Sequence, residues 1–229
     1  MGIQVNFSEG GRRTSADDVF DRLRADIVNL RLVPGTKLSE VEVAKQSDVS
    51  RQPVREAFIR LSNMNLLQIR PQKATLVRKI SIQDILNTRF IRTAVEVEVV
   101  RTACENVEEK DLNLLRENLK LQKKAVADGD GDLFHDLDYA FHKGLCLAAK
   151  CEFAFKTIAE NKSHVDRLCM LGLADNSGMK DLYRDHCEIF DALRQGEADT
   201  IVSLTRQHLM RLDTILDYAR TNYSDYFED

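Results

Sequence analysis

Hydrophobic positions in the first 80 residues recur at the three- to four-residue spacing of amphipathic helices. From Ser15 this spacing predicts a helix that ends before Pro34, because that proline and the glycine after it favour a turn. Ser39 and Ser50 each precede a further short helical pattern and are residue types preferred at helix N-caps. Two short helices joined by a tight turn are typical of a helix-turn-helix motif.

Two short apolar segments follow the third predicted helix. Residues 66–69 and 75–79 flank a turn around Pro71, and this arrangement predicts a small β-hairpin, the wing. We therefore expect a winged helix-turn-helix unit over residues 15–80, preceded by a flexible tail over residues 1–14.

The remainder of the chain shows only helical spacing and contains no proline after Pro71, which permits long uninterrupted helices. We expect a mainly α protein, with an antiparallel all-α bundle over residues 81–222 and a tail over residues 223–229. Glycine-containing turns separate several of the six expected helical segments, which are 81–105, 108–128, 131–149, 152–171, 179–195 and 197–222.

Charge divides the chain at the same place. The 229 residues carry a net charge of −4, but residues 1–78 contribute +4 and the remainder −8. A basic unit of this kind is typical of phosphate binding, although charge alone is equally compatible with a solvated basic face.

Composition excludes several classes of protein. Hydrophobic residues make up 43% of the chain, yet no run approaches the ~18 apolar residues of a membrane span, and the first residues lack the apolar core of a signal peptide. The five cysteines form no CxxC pair and suit reduced thiols that pack in a core rather than a redox sensor. We therefore expect a cytoplasmic protein with no membrane partner.

The third predicted helix begins with side chains that suit DNA recognition. Arg51, Gln52 and Arg55 project from the end that a recognition helix places in the major groove. Arginine matches the two acceptors of guanine, and glutamine matches the acceptor–donor pair of adenine. The alternative is an ordinary surface helix with solvated arginines.

Four ionisable residues lie on helix faces that should be apolar. Asp138 and His142 are spaced i, i+4, whereas His186 and His208 each share a stripe with leucine and isoleucine. Gly196 follows His186 by 10 residues and precedes His208 by 12, so antiparallel helices would place both imidazoles at a similar height. A single buried histidine is more often a satisfied core residue. The combination predicts a site for a divalent metal ion, with open positions for a further ligand.

The N-terminal motifs resemble a known family of regulators. The segments PGTKLSE at 34–40 and VSRQPVREA at 49–57 resemble the winged-helix signature of GntR-family transcription regulators. The family often has glycine where Asn65 stands, and its wing tip commonly carries Arg-Gly where this chain has Lys73-Ala74. The resemblance implies a DNA-binding set that comprises Ser50, Arg51, Gln52, Arg55, Gln72 and Lys73.

The second unit resembles the FCD effector domain of the FadR-like branch of GntR regulators, for which a VanR-like six-helix variant is an alternative. The resemblance covers residues 82–222 and implies that the metal ligands are Asp138, His142, His186 and His208. Zinc is the first expectation for the ion, with nickel, manganese and iron as alternatives.

Further polar residues complete the expected site. Arg92 and Glu96 resemble the opening helix of this domain, which implies an effector site where Arg92 holds a carboxylate; a buried ion pair is the alternative. Asn161 and His164 are candidates for the lining of the effector site, although a hydrogen-bonded core asparagine and an exposed histidine explain them equally well. His135, near the edge of its stripe, is a reserve metal ligand.

These expectations combine into one hypothesis. The chain is a ligand-responsive DNA-binding transcription regulator, by default a repressor, that binds a two-fold operator on double-stranded DNA as a homodimer. It senses a small organic acid, a carboxylate metabolite, through a bound divalent metal. The alternatives are a non-haem metal-dependent enzyme and a direct metal sensor. We expect no enzymatic activity and assign no catalytic residue.

Overall fold

A computed structural model describes residues 13–70, 72–173 and 176–228, without the side chains at 160–161, 173 and 176–177. The chain forms two compact units. The first reaches to Ser81 and also includes the residues from Tyr223 onward, and the second is Ile82–Asn222. The expected N-terminal tail falls largely outside the described residues, which begin one position before the N-cap Thr14 of the first helix.

The first unit combines three helices with a small antiparallel sheet. Its elements in chain order are α1 (Ser15–Val28), β1 (Lys37–Leu38), α2 (Glu40–Ser47), α3 (Arg51–Asn63), β2 (Leu67–Gln68) and β3 (Thr75–Val77). The strands lie in the order β1-β3-β2, so the two wing strands β2 and β3 are neighbours. The two-residue strand β1 was not predicted because so short a segment has no recognisable alternation of its own.

Local sequence explains where these helices begin. The hydroxyl of Thr14 accepts from the backbone of Asp17, whose carboxylate accepts in return from the backbone of Thr14, and this capping box starts α1. Ser39 and Ser50 occupy the N-cap positions of α2 and α3, although their side chains make no capping hydrogen bond. Asn65 adopts a φ of 57° before β2, a left-handed conformation that asparagine tolerates well.

The C-terminal residues, which we expected as a tail, pair with the end of the first unit. A 3₁₀ turn at Ser224–Tyr226 leads into a short parallel bridge between Ile80 and Phe227. The amide of Ile80 donates to the carbonyl of Tyr226 at 2.7 Å, and that of Glu228 donates to the carbonyl of Ile80 at 3.0 Å. The side chain of Phe227 is buried.

The second unit is an all-α bundle. Its helices are α4 (Ile82–Asn106), α5 (Glu109–Asp128), α6 (Gly131–Ala148), α7 (Glu152–Asn161), α8 (Ser163–Leu173), α9 (Asn176–Gln195) and α10 (Ala198–Asn222). The single helix expected over 152–171 is therefore wrong, because α7 ends and α8 begins around Lys162. No glycine or proline marks this break, so the local pattern could not predict it.

The interior of the bundle contains apolar clusters as well as buried polar side chains. The largest hydrophobic cluster joins side chains of α4, α5, α6, α7, α9 and α10, among them Leu115, Phe141 and Ile189. Gly144 lets α6 approach α5, since a Cβ atom there would lie 2.7 Å from the Leu115 Cδ2 atom. None of the helices within the described ranges is both long and apolar enough to cross a lipid bilayer.

Candidate metal centre and nucleic-acid interface

The exposed start of α3 carries two arginines held by one carboxylate. Arg51 and Arg55 lie one turn apart, and their Nη2 atoms are 2.9 and 3.2 Å from Oε2 of Glu40 at the start of α2. Their hydrogen bonds, with that of Arg55 the stronger influence, lower the pKa of the Glu40 carboxyl. The pairing presents both guanidinium groups on one face of the helix-turn-helix motif.

The other residues assigned to DNA binding are also exposed. Gln52 donates from Nε2 to Oε1 of Glu56 at 3.0 Å, and Ser50 is solvent-exposed at the N-cap of α3. At the wing tip, Gln72 has a φ of 57° and Lys73 is exposed. The structure therefore leaves these side chains accessible on the motif and its wing.

The bundle gathers the four expected metal ligands from three helices. Asp138 and His142 lie on α6, His186 on α9 and His208 on α10, and one potential ligand atom from each lies within 4.8 Å of the others. The three imidazoles are at least 95% buried, and His186 is fully buried against the ring of Phe141, with a 4.3 Å centroid distance. The amphipathic patterns of three separate helices thus converge at one point.

The Nε2 atoms of the histidines face the centre of this cluster. Nε2 of His142 is 3.3 Å from Nε2 of His208 and 3.8 Å from Oδ1 of Asp138. Nε2 of His186 is 3.5 Å from the same oxygen, and it has no hydrogen-bond partner in the described part of the chain. Two nitrogens bound to one zinc ion at ~2.0–2.1 Å lie roughly 3–3.4 Å apart, so this donor set fits a divalent cation.

Carboxylates face the outer nitrogens of two of the histidines. Nδ1 of His142 is 2.7 Å from Oε2 of Glu96, and Nδ1 of His208 is 3.4 Å from Oδ2 of Asp185. Because an ionised carboxylate only accepts, both neighbours favour the tautomer with its hydrogen on Nδ1. Arg211 holds Asp185 in turn, donating from Nη2 to Oδ1 at 2.8 Å. The two Nε2 lone pairs then face each other, an arrangement that a cation would stabilise.

Burial and charge keep the cluster ready for a cation. Burial lowers the pKa of both His186 and His208. The proximity of His208 and His142 adds to this effect at His186, and the proximity of His142 and Arg92 adds to it at His208. Burial alone would raise the pKa of Asp138, but Lys162 and the three histidines outweigh it and hold that pKa well below its usual value. The site therefore contains an ionised carboxylate next to two imidazoles, those of His186 and His208, whose protonation is disfavoured by burial.

Lys162, at the break between α7 and α8, holds the outer side of Asp138. Its Nζ atom is 3.5 Å from Oδ2 of Asp138 and 3.1 Å from Oδ1 of Asp166. The ammonium group is almost fully buried and lies 4.8 Å from the ring centroid of Tyr139. Burial by itself would lower the pKa of Lys162, but the carboxylates of Asp166 and Asp138 outweigh burial, and the pKa is raised.

Arg92 and Glu96 form a buried ion pair, and they differ in what they face. Nε of Arg92 donates to Oε1 of Glu96 at 2.6 Å, so both Glu96 oxygens are occupied by Arg92 and His142. Glu96, which we expected at the effector site, lies next to the imidazole of His142 and is not among the residues that line the cavity described below. Nη2 of Arg92 is buried and makes no hydrogen bond within the described ranges.

A small cavity adjoins the cluster. Arg92, Asp138, His208, Cys169 and Arg211 line its polar side, and apolar residues of α6, α9 and α10 close it. The cavity measures about 30 Å³, room for roughly two water molecules.

The remaining candidates stand apart from the four-residue cluster. His135, the reserve ligand, lines the cavity, and its Nε2 atom is 3.9 Å from Oδ1 of Asp166. It is not part of the four-residue cluster. His164 is buried, with Nε2 at 3.7 Å from Oδ2 of Asp84, and it is absent from the cavity wall. The side chain of Asn161 lies outside the described residues.

Several supporting residues were missed by the sequence analysis. They are Asn118, Gln122, Lys162, Asp185 and Arg211, each of which touches a member of the cluster or holds a residue that does. Asp185 precedes His186 and lies four residues before Ile189, so its side chain reads as an ordinary polar residue at the edge of a stripe. Gln122, Lys162 and Asp185 are buried and the other two are half-buried, and their burial depends on neighbouring helices.

Comparison with known proteins assigns both units. Residues 15–77 match the gntR family of bacterial regulatory proteins, and residues 88–211 match the FCD domain. The chain is 39% identical over 211 residues, 92% of each chain, to the HTH-type transcriptional repressor RspR of Escherichia coli (strain K12). It is 30% identical over 199 residues, 86% of this chain and 87% of the other, to a probable D-xylose utilization operon transcriptional repressor of Paenarthrobacter nicotinovorans.

A solved structure agrees with the fold. E. coli McbR/YncC superposes with a TM-score of 0.79 at 22% identity, covering 92% of this chain and all of that chain. The architecture is therefore that of a winged helix-turn-helix regulator with a helical second domain, as predicted. The chain belongs to the GntR family of bacterial transcription regulators and carries an FCD domain.

Proposed function

We propose that this chain is a repressor whose affinity for operator DNA depends on a small carboxylate bound beside a divalent metal ion in the FCD domain. The observation that carries the proposal is the buried cluster of Asp138, His142, His186 and His208, in which two imidazole Nε2 atoms face each other at 3.3 Å. The repressor assignment is supported by the two relatives described above, which are named as a repressor and a probable repressor.

DNA contact is assigned to α3 and the wing. Arg51 and Arg55 are exposed one turn apart at the start of α3, where a recognition helix reaches base edges. Gln52, Gln72 and Lys73 lie beside them on the same motif or at the wing tip. One winged helix touches few base pairs, so we propose a homodimer on a two-fold operator, acting in the cytoplasm.

The metal would be held by three imidazole nitrogens and one carboxylate oxygen, a donor set that suits zinc first and nickel, manganese or iron as well. When bound, the ion supplies a Lewis-acidic position at which an anionic oxygen can bind. Glu96 and Asp185 orient His142 and His208, and Lys162 balances the charge of Asp138.

The effector site is proposed at the cavity. Nη2 of Arg92 is a buried donor without a hydrogen-bond partner among the described atoms, and the arginine lines the cavity together with Asp138 and His208. A carboxylate there would be held by a charge-assisted hydrogen bond as well as by the ion. Because the cavity measures only about 30 Å³, a metabolite larger than a few atoms would have to displace the surrounding helices, which gives a physical route from binding to altered DNA affinity.

The proposal is tested with a duplex selected by the protein from a random DNA pool. Small carboxylates are first screened by thermal shift, with zinc present or with a chelator, because a ligand that binds only the folded state raises the melting temperature. A carboxylate that stabilises the protein only with zinc, and weakens binding to the selected duplex, supports the proposal.

Two outcomes would contradict it. Operator affinity that responds to zinc removal and to no carboxylate would indicate a direct metal sensor. A response that Arg92→Lys leaves unchanged would exclude Arg92 as the effector clamp, because lysine retains the charge beside Glu96 but lacks the second guanidinium nitrogen.

A further inference from the structure

Two amide side chains on α5 connect His186 to the backbone of α6. Asn118 donates from Nδ2 to the carbonyl oxygen of Leu137 at 3.0 Å, and Gln122 donates from Nε2 to Oδ1 of Asn118 at 2.7 Å. Oε1 of Gln122 lies 2.9 Å from Nδ1 of His186. Gln122 is fully buried, so this relay is closed to solvent at the histidine end.

The direction of every hydrogen bond in this relay follows from its first member. A backbone carbonyl can only accept, so Asn118 must turn its NH₂ group to Leu137 and its oxygen to Gln122. Gln122 must then turn its own NH₂ group to Asn118, which leaves its oxygen for His186. An oxygen without hydrogen requires a donor, and the hydrogen of the imidazole therefore stays on Nδ1.

We propose that Asn118 and Gln122 are positioning residues that lock His186 in the Nδ1–H tautomer, so that the lone pair of Nε2 faces Asp138 before any metal binds. The consequence for metal affinity rests on the proposed metal centre. The tautomer itself does not, because the relay consists only of hydrogen bonds between groups of this chain.

The relay differs from the supports of the other two histidines. His142 and His208 face the carboxylates of Glu96 and Asp185, each of which is held by an arginine. No arginine is paired with Gln122 in the described part of the chain, and a carboxylate at this fully buried position would be an uncompensated charge. A neutral amide relay thus favours the same tautomer at His186, where the described residues provide no arginine-paired carboxylate for Nδ1.

The tautomer can be measured directly. In metal-free full-length protein labelled with ¹⁵N-histidine, two-bond ¹H–¹⁵N correlation spectra distinguish Nδ1–H from Nε2–H imidazoles, and the His186 signals are assigned by their loss in His186→Leu. We expect a single Nδ1–H tautomer in the wild type. Gln122→Met removes the acceptor with little change in volume, and Asn118→Leu frees the Gln122 amide to rotate. Both should produce Nε2–H signals.

Zinc affinity, measured by competition with a chromophoric chelator, gives the second readout. We expect Gln122→Met and Asn118→Leu to bind zinc about 10–100-fold more weakly, the usual effect of removing a partner of a metal-bound histidine. Asn113→Leu, the same substitution at an exposed position of α5, should leave tautomer and affinity unchanged.

The outcomes separate the two proposals. His186 remaining wholly Nδ1–H in both variants would overturn the relay, whatever the zinc affinity. Wild-type protein that binds no zinc would overturn the metal centre, and the tautomer comparison would still decide the relay. Circular dichroism checks folding; if Gln122→Met does not fold, the half-buried Asn118→Leu provides the same comparison.

Discussion

Replacing His186 by leucine is the most direct perturbation of the proposed metal centre. His186 is fully buried and stacks on Phe141, so leucine, of similar volume, fills the site without a large void. The change removes one of four proposed ligands and leaves Oε1 of Gln122 without its partner, which costs about 1–3 kcal/mol in stability. The zinc-free variant should therefore melt below the zinc-free wild type.

The informative quantity is the stabilisation by zinc within each protein. At free zinc about 100 times Kd, the folded wild type gains ~2.7 kcal/mol. For a protein of this size that corresponds to a rise in melting temperature of roughly 5–11 °C. Loss of an outer hydrogen-bond partner weakens metal binding by up to ~100-fold, and loss of a ligand should weaken zinc binding by at least this upper value. The same zinc concentration then equals Kd, and the gain falls to ~0.4 kcal/mol, or about 1–2 °C.

The assay is differential scanning calorimetry at fixed free zinc, set by a metal buffer, with elemental analysis of the dialysed protein. His135→Leu is the matched control, because His135 lines the same cavity but is not part of the four-residue cluster. It should retain the full stabilisation. An equal zinc-induced rise in melting temperature in His186→Leu and in the wild type would refute the reasoning. If only His135→Leu lost this rise, His135 rather than His186 would be the zinc ligand.

Three other substitutions test separate parts of the molecule. Arg55→Ala should abolish binding to the selected duplex and leave the far-UV circular dichroism unchanged, whereas the control Arg206→Ala, at an exposed position of the bundle, should bind normally. Unchanged affinity in Arg55→Ala would show that Arg55 is not part of the DNA interface. Phe227→Ala should lower the free energy of unfolding, measured by urea titration, by about 3 kcal/mol, because its side chain is buried. The control Tyr218→Ala, at an exposed position, should lower it by less than about 0.5 kcal/mol, and equal losses in the two variants would argue against a packed C-terminus. Glu96→Gln should weaken zinc binding about 10–100-fold, because the neutral amide supports the histidine beside it less well, and unchanged affinity in chelator competition would contradict that role.

The DNA-binding unit and the four cluster residues were accessible from the sequence because the signals are local. Helical spacing places Asp138 and His142 on one face of α6 and turns His186 and His208 towards the core, whatever the neighbouring helices are. The position of Gly196, 10 residues after His186 and 12 before His208, further predicts that the two imidazoles lie at a similar height along antiparallel helices. These inferences need only the geometry of single helices and of one hairpin.

The helix break at Lys162 was not accessible in this way. The sequence around it favours one continuous helix, whereas the structure ends α7 there and directs the lysine ammonium to Asp138 and Asp166. An ion pair between residues 24 positions apart depends on which helices become neighbours, and a window of one helix contains no such information.

By itself the amino-acid sequence determined the two-unit mainly α organisation, the recognition helix and the inward direction of three histidines, since each depends on residue spacing along one helix. The tertiary structure decided which polar groups support them. Gln122, Glu96 and Asp185 are ordinary helical residues until α5, α4 and α9 pack around the cluster. The packing brings the Gln122 oxygen within hydrogen-bond distance of His186 and the two carboxylates next to His142 and His208, where the loss of water strengthens each interaction.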